Sequence, residues 1–193
     1  MIAPGRLCVT GIGAVTPVGL SAVQTASSVR AGISRFAEHP YHWSLIDPPH
    51  LDEPAKLACA PVPFLDALDG AQDRLLNLAL APLEEVIVQA GLRREDLAEA
   101  ALLLAVPPII KGLPEWGVET RLLPEFFRRA ALSPFPVTIL DRSGPTGFYR
   151  LLLEAERLLT AGACRFAVVG GADSWLDEAS VRHFDAAYRL NSR

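Results

Sequence analysis

An apolar run, Val137–Leu140, is followed by Ser143-Gly144-Pro145-Thr146-Gly147 and then by an amphipathic segment. A hydroxyl on a sharp strand-to-helix turn is placed as a nucleophile elbow places its serine, with the first N–H groups of the helix free to stabilise an oxyanion. Ser143 and Thr146 are therefore candidate nucleophiles. A hydroxyl also needs an activating base, and neither histidine nor lysine stands near them in the sequence. The competing reading is structural. Ser143 or Thr146 caps the helix at Gly147 while Pro145 sets the entry angle, and this is the reading we prefer.

Other chemistry-bearing residues offer less. Cys8, Cys59 and Cys164 are an odd set without metal-ligand spacing. Each lies in or beside an apolar run, so they read as buried, reduced thiols of a cytosolic protein. His39, His42, His50 and His183 are isolated from one another and from the turn, and read as solvated side chains. Gly11-Ile12-Gly13 follows an apolar run in the manner of a dinucleotide-binding loop. Its third glycine is replaced by Thr16, and no acidic residue ends the run Lys56–Ala60, which argues against that reading. No cofactor-binding or metal-binding motif is present.

Periodicity supplies the elements that must position the turn. Candidate strands are Leu7–Thr10, Lys56–Ala60, Ala101–Val106, Val137–Leu140 and Arg165–Val169. Candidate helices are Ser21–Ala31, Asp73–Ala90, Glu115–Ala131, Gly147–Ala161 and Glu178–Ala187. In the fourth helix Phe148, Leu151, Leu152, Ala155, Leu158 and Leu159 form one apolar face, Arg150, Glu154 and Arg157 lie opposite, and Gly162 ends it. Strand–helix alternation predicts a mostly parallel sheet with helices on both faces. Leu102–Val106 and Phe166–Val169 suit central strands. Val137–Leu140 and Phe166–Val169 are expected to be parallel neighbours joined by the fourth helix. Pro82 falls inside the second helix, and His39 to Pro54 reads as a surface excursion.

At 193 residues the chain suits one domain, 1–193, or half of a larger fold. Half its residues are hydrophobic and mean hydropathy is +0.26, so it buries either a large core or a face against a partner. A net charge of −4 gives no general attraction to nucleic acid or anionic membrane. Arg93-Arg94 and Arg128-Arg129 read as solvated helix ends. The apolar run from Leu102 to Ile110 is too short to span a bilayer. Met1-Ile2-Ala3-Pro4-Gly5 lacks the start of a signal peptide, so a cytoplasmic location is expected.

Four strings carry a resemblance. Val9-Thr10-Gly11-Ile12-Gly13-Ala14-Val15-Thr16-Pro17-Val18-Gly19, the helix from Asp73-Arg74 to Gly91-Leu92, Phe166 to Asp173 and the tail from Phe184 to Arg193 occur in order at compatible distances. Together they resemble the β-ketoacyl-ACP synthases, the condensing enzymes of fatty-acid and polyketide synthesis. The resemblance covers nearly the whole chain and implies the N-terminal half of a thiolase-like fold, in which two βαβαβαββ halves stack in five layers. It also implies a cysteine at the N-terminus of the fourth helix. Counting back from Gly170-Gly171 without gaps puts that cysteine on Pro145, and a one-residue shift that matches Gly147 puts it on Gly144. Neither is a thiol, and Cys164 lies beyond the helix. The family's catalytic histidines and lysine belong to the second half, so none of the four histidines matches a family position.

The resemblance thus implies a chain with no catalytic residue of its own, and three roles. It is a chain-length-factor-like or half-domain partner of an active synthase, a truncated acyltransferase whose second half supplies the histidines, or a structural or acyl-binding module. The end at Asn191-Ser192-Arg193, inside a family motif, suggests a longer gene product or a separate second half. Expected partners are a second condensing-enzyme subunit, as homodimer or heterodimer, and an acyl carrier protein; nucleic acid and membrane are not expected.

Overall fold

The computed structural model describes residues 7–43, 56–65, 69–113, 118–187 and 189–190. The elements run α1 (Ala22–Arg30), β1 (Ala37–Trp43), β2 (Lys56–Cys59), α2 (Ala71–Gln89), β3 (Ala100–Ala105), α3 (Leu123–Ala130), β4 (Val137–Asp141), α4 (Gly147–Thr160), β5 (Phe166–Gly171) and α5 (Glu178–Ala186). Within the helix expected over Glu115–Ala131, a π-type turn, Val118–Leu122, leads into α3. Residues 115–117 lie outside the described residues.

Strand β3 organises the sheet because Ala-Ala-Leu-Leu-Leu-Ala offers no polar side chain to solvent, and all six residues are buried. It pairs in parallel with β4 on one side and β5 on the other, Leu103 facing Ile139 and Val169. The side chains alternate between faces. Ala100, Leu102 and Leu104 join Leu75, Leu76 and Leu83 of α2 and Phe126 and Phe127 of α3. Ala101, Leu103 and Ala105 meet Leu151, Ala155 and Leu158 of α4 on the other face. Helices thus cover both faces, as alternation predicts. The expected neighbours β4 and β5 are parallel in one sheet, but they are separated: the order is β4-β3-β5. The central place goes to the strand whose residues are apolar on both faces, while β5 is half-buried and lies at an edge of the described sheet.

The remaining strands form a small antiparallel hairpin, with Ala37 opposite Cys59 and a register slip between Glu38 and Trp43. The start of the expected excursion, His39 to Trp43, is therefore strand, while residues 44–54 lie outside the described residues. His39 is buried rather than solvated. Its Nδ1 accepts hydrogen bonds from the backbone N–H groups of Tyr41 and His42, both at 3.2 Å. Burial, then the charges of His42 and Arg74, push its pKa down, so the ring is held neutral. Beneath the hairpin Arg74 of α2 is 2% exposed, and its Nε donates to Ser174 Oγ at 3.1 Å. Cys59 is buried, and that burial raises its thiol pKa.

Leu7–Thr10 is not a strand, and Cys8 is exposed rather than buried. This arm reaches the body through polar bonds to α2. Glu85 accepts from the N–H of Ala14 at 3.0 Å and of Ala22 at 3.0 and 3.1 Å, and Gln89 accepts from Ile12 N–H at 3.0 Å. The arm passes so close that a Cβ on Gly13 would strike the Pro82 carbonyl. Pro82 itself stays inside an unbroken α2. Ser21 caps α1 by accepting from Gln24 N–H, and the Glu85 carboxylate adds negative charge at the same helix end. No residue of α1 is buried.

Glu85→Ala should therefore free the arm without unfolding the sheet. Amide hydrogen exchange at Ala14 and Ala22 should accelerate about fivefold, the rate equivalent of a lost cap worth about 1 kcal/mol, while exchange in β3 stays unchanged. Equal acceleration in β3 would contradict this division.

Candidate active site at the β4–α4 turn

Helix α3 carries the chain from β3 to β4 on one face of the sheet, and α4 carries it back over β3 to β5 on the other. Where the direction reverses, the crossovers after β3 and β4 leave the carboxyl ends of the strands toward opposite faces of the sheet. The turn after β4 fills that place. Val106 N–H donates to Asp141 C=O at 2.9 Å, and Arg142 Nε donates to the Pro107 carbonyl at 3.4 Å. Gly144 has φ +68°, where a side chain is strained, and a Cβ there would only touch Pro108 at 3.7 Å. The turn thus has the sharpness of a nucleophile elbow.

Its chemistry is set by two residues that the motif reading passed over, Asp141 and Arg150. Asp141 Oδ1 accepts from Ser143 N–H at 2.7 Å, and Arg150 Nε lies 3.4 Å from Asp141 Oδ2. Arg150 Nη1 donates to Ser143 Oγ at 2.9 Å. The Ser143 hydroxyl and amide, with the Arg150 charge behind them, hold the Asp141 carboxyl below its usual range. A carboxylate so stabilised is a weak base, and a guanidinium donating to Oγ withdraws electron density from the hydroxyl. Ser143 is thus held by charge between Asp141 and Arg150. Thr146, which is exposed, donates through Oγ1 to the Ser143 carbonyl at 3.2 Å within the 3-10 turn Gly144–Thr146. Neither Ser143 nor Thr146 makes a side-chain cap to α4, so the expected cap is corrected.

A carboxylate stands in the cap's place. A Cβ on Gly147 would lie 2.7 Å from Asp141 Oδ1, which puts that oxygen against the first turn of α4, where the helix dipole favours an anion. Gly147 is needed for this approach. The signal was present in Asp141-Arg142-Ser143, since aspartate two residues before a serine amide forms a turn with its own backbone. Helical spacing predicts Arg150 in the ion-pair row on α4. Glu154 and Arg157 do pair there, at 2.6 Å, and Arg150 turns back to the loop.

The other expected chemistry stays dispersed. Cys164 precedes Phe166, which pairs with Ala100, whereas the turn follows Asp141, which pairs with Ala105. The thiol and the turn are at opposite ends of the sheet, and burial raises the Cys164 pKa. His183 packs beside the loop after β3, its Cε1 3.3 Å from the place of a Gly112 Cβ. His42 lies beside His39, with ring centres 4.5 Å apart, and His50 falls outside the described residues. Among the described residues no group of three His, Cys, Asp or Glu side chains could hold a metal ion. No helix among them is long and apolar enough to cross a membrane.

Solved structures share this architecture. A chain of the AntDE:AntF complex, a type II polyketide synthase acyl-carrier protein with its ketosynthase bound to the hexaketide, superposes with TM-score 0.67 at 18% identity. The match covers 98% of this chain and 50% of that one. The fold is thiolase-like. The ishigamide ketosynthase/chain length factor matches at TM-score 0.59 and 17% identity, over 93% of this chain and 50% of that one. The chain therefore spans about half the length of these structures. No protein-family model and no curated protein sequence matches it.

Gly147→Ala should lower stability although alanine is the better helix former by about 1 kcal/mol, because Asp141 must leave its bonds to admit the methyl group. Asp141→Asn should lower Tm by about 2–4 °C, the shift that about 1 kcal/mol produces at this size. A depressed carboxyl stabilises above its ordinary value of 3.8 and loses that contribution as pH falls through the folded value. Thermal melts over that acid range should separate wild type from Asp141→Asn at high pH and bring them together at low pH.

Proposed function

We propose that this chain is a condensing-enzyme-like protein of polyketide or fatty-acid biosynthesis that does not itself condense acyl groups and acts by pairing with an active synthase, as a chain-length-factor-like or half-domain partner. One observation carries the reading: the turn that would hold a nucleophile has Gly144 or Pro145 at the thiol position and an Asp141–Ser143–Arg150 network around it. A condensing nucleophile is a thiol whose pKa the helix end lowers. Here the helix end faces a fixed carboxylate.

The solved neighbours support the context, one being a ketosynthase with its acyl-carrier protein and the other a ketosynthase/chain length factor. Partners of this chain are then a condensing-enzyme subunit, in a homodimer or heterodimer, and an acyl carrier protein, in the cytoplasm. A second reading follows from the chain spanning half of each neighbour: it is the N-terminal piece of an acyltransferase whose other half brings the histidines. A third, a structural or acyl-binding module, keeps the fold without the chemistry.

Incubation of the chain with acyl-CoA or acyl-carrier protein, followed by intact-mass measurement, should show no stoichiometric adduct. An adduct on Ser143 or Thr146 would revive the hydroxyl nucleophile, and one on Cys164 would mean that the thiol position is misplaced. Pro145→Cys alone should not restore condensation, because decarboxylation needs acid–base groups that the turn does not bring.

A further inference from the structure

We propose that the β1–β2 hairpin is a proton-operated latch, closed while the His39 ring is neutral and opened when that ring takes a second proton, so that acid uncovers the Cys59 thiol. The inference goes beyond the pairing reading and does not rest on it. A two-stranded hairpin is marginal on its own in water, and β1 and β2 form a sheet apart from β4-β3-β5. Tyr41 and Trp43 are exposed, so the hairpin is held to the body by its inward residues: His39 at 3% exposure, Leu57 at 4% and Cys59 at 7%. Leu57 carries no charge, and burial raises the Cys59 thiol further from ionisation. Of the three, His39 is the one whose charge changes on mild acidification.

The closed state needs Nδ1 without a proton. That nitrogen accepts from the backbone N–H groups of Tyr41 and His42, each at 3.2 Å, so the neutral ring carries its proton on Nε2. A second proton must go to Nδ1. It turns the acceptor into a donor facing two donors and costs both bonds. It also places a cation where burial opposes charge and where His42, on the same strand, and Arg74, from α2, add positive charge. Arg74 is buried and tied through Nε to Ser174 Oγ, which fixes it in place. The carboxylates nearby in sequence are engaged elsewhere. Glu38 pairs with Lys56 of β2 at 3.4 Å, Asp73 of α2 pairs with Arg129, and Asp173, beside Ser174, bonds to Trp175 and the Ser174 amide. A ring whose folded value lies below its ordinary 6.5 contributes its full stability above 6.5 and loses it as pH falls from there toward the folded value.

The test is the labelling rate of Cys59 relative to the exposed Cys8 of the same full chain, read by peptide mass spectrometry with a dipyridyl disulfide, which reacts with thiols in acid as well as at neutral pH. In the wild type the ratio should be flat above pH 6.5 and rise by up to about tenfold per pH unit below it, as one proton demands. His39→Asn, whose side-chain oxygen accepts where Nδ1 does but does not titrate, should hold the ratio flat. His42→Asn keeps the Nδ1 bonds, which its backbone makes, and should keep the rise. In the wild type the Tyr41 and His42 amides should lose protection against hydrogen exchange over the same range while β3 retains its own. That measurement uses no variant and decides the matter even if His39→Asn fails to fold. A ratio indifferent to pH would overturn the proposal. So would a rise that survives in His39→Asn or vanishes in His42→Asn, or an equal loss of protection in β3.

Discussion

The structure depends on burying one strand from both sides. β3 has neither a polar side chain nor a solvent face, so its backbone groups must find partners on two edges and its side chains on two faces. β4 and β5 supply the edges in unbroken parallel register over five and six residue pairs respectively. Helices α2 and α3 supply one face and α4 the other. Full burial of a leucine is worth about 1.5–3 kcal/mol, and three in succession make this strand the largest apolar commitment in the sheet. The place of the β4–α4 turn is a by-product of that arrangement. Covering both faces of β3 forces the two crossovers onto opposite sides.

The parts of the fold that sequence made legible are those whose burial has one period. α4 shows it as a stripe and β3 as a continuous apolar run, and the expected bounds of α4 lie within a residue of those found. Strand order was not legible in the same way. Two strands joined by a helix read naturally as neighbours, and placing β3 between them depends on a pairing more than sixty residues away in the chain. Leu7–Thr10 has the composition of a strand but finds no strand partner among the described residues, so composition alone misled. β1 has the reverse history. His, Pro and Trp hide it, and the antiparallel pairing to β2 with the buried His39 makes it a strand.

At the candidate site the turn and its geometry were legible, and its chemistry was not. Gly144 and Gly147 announced a sharp strand-to-helix bend, and each occupies a position that only a residue without a side chain fills easily. The roles of Asp141 and Arg150 were hidden because they are nine residues apart. They meet only when α4 folds back on the end of β4. Residue type alone predicts Ser143 or Thr146 as the helix cap, whereas the group that lies against the first turn of α4 is a carboxylate from the preceding strand, where the dipole favours it.

That carboxylate has a consequence for which changes the turn tolerates. Asp141 Oδ1 occupies the space a side chain at position 147 would need, so the glycine and the aspartate constrain each other. Removing Asp141 would leave Arg150 Nε without this counter-charge and the amide of Ser143 without its acceptor, at a cost to folding. Enlarging Gly147 would push the carboxylate off both. The bend therefore behaves as an interlock: positions 141, 147 and 150 are free to vary only in concert.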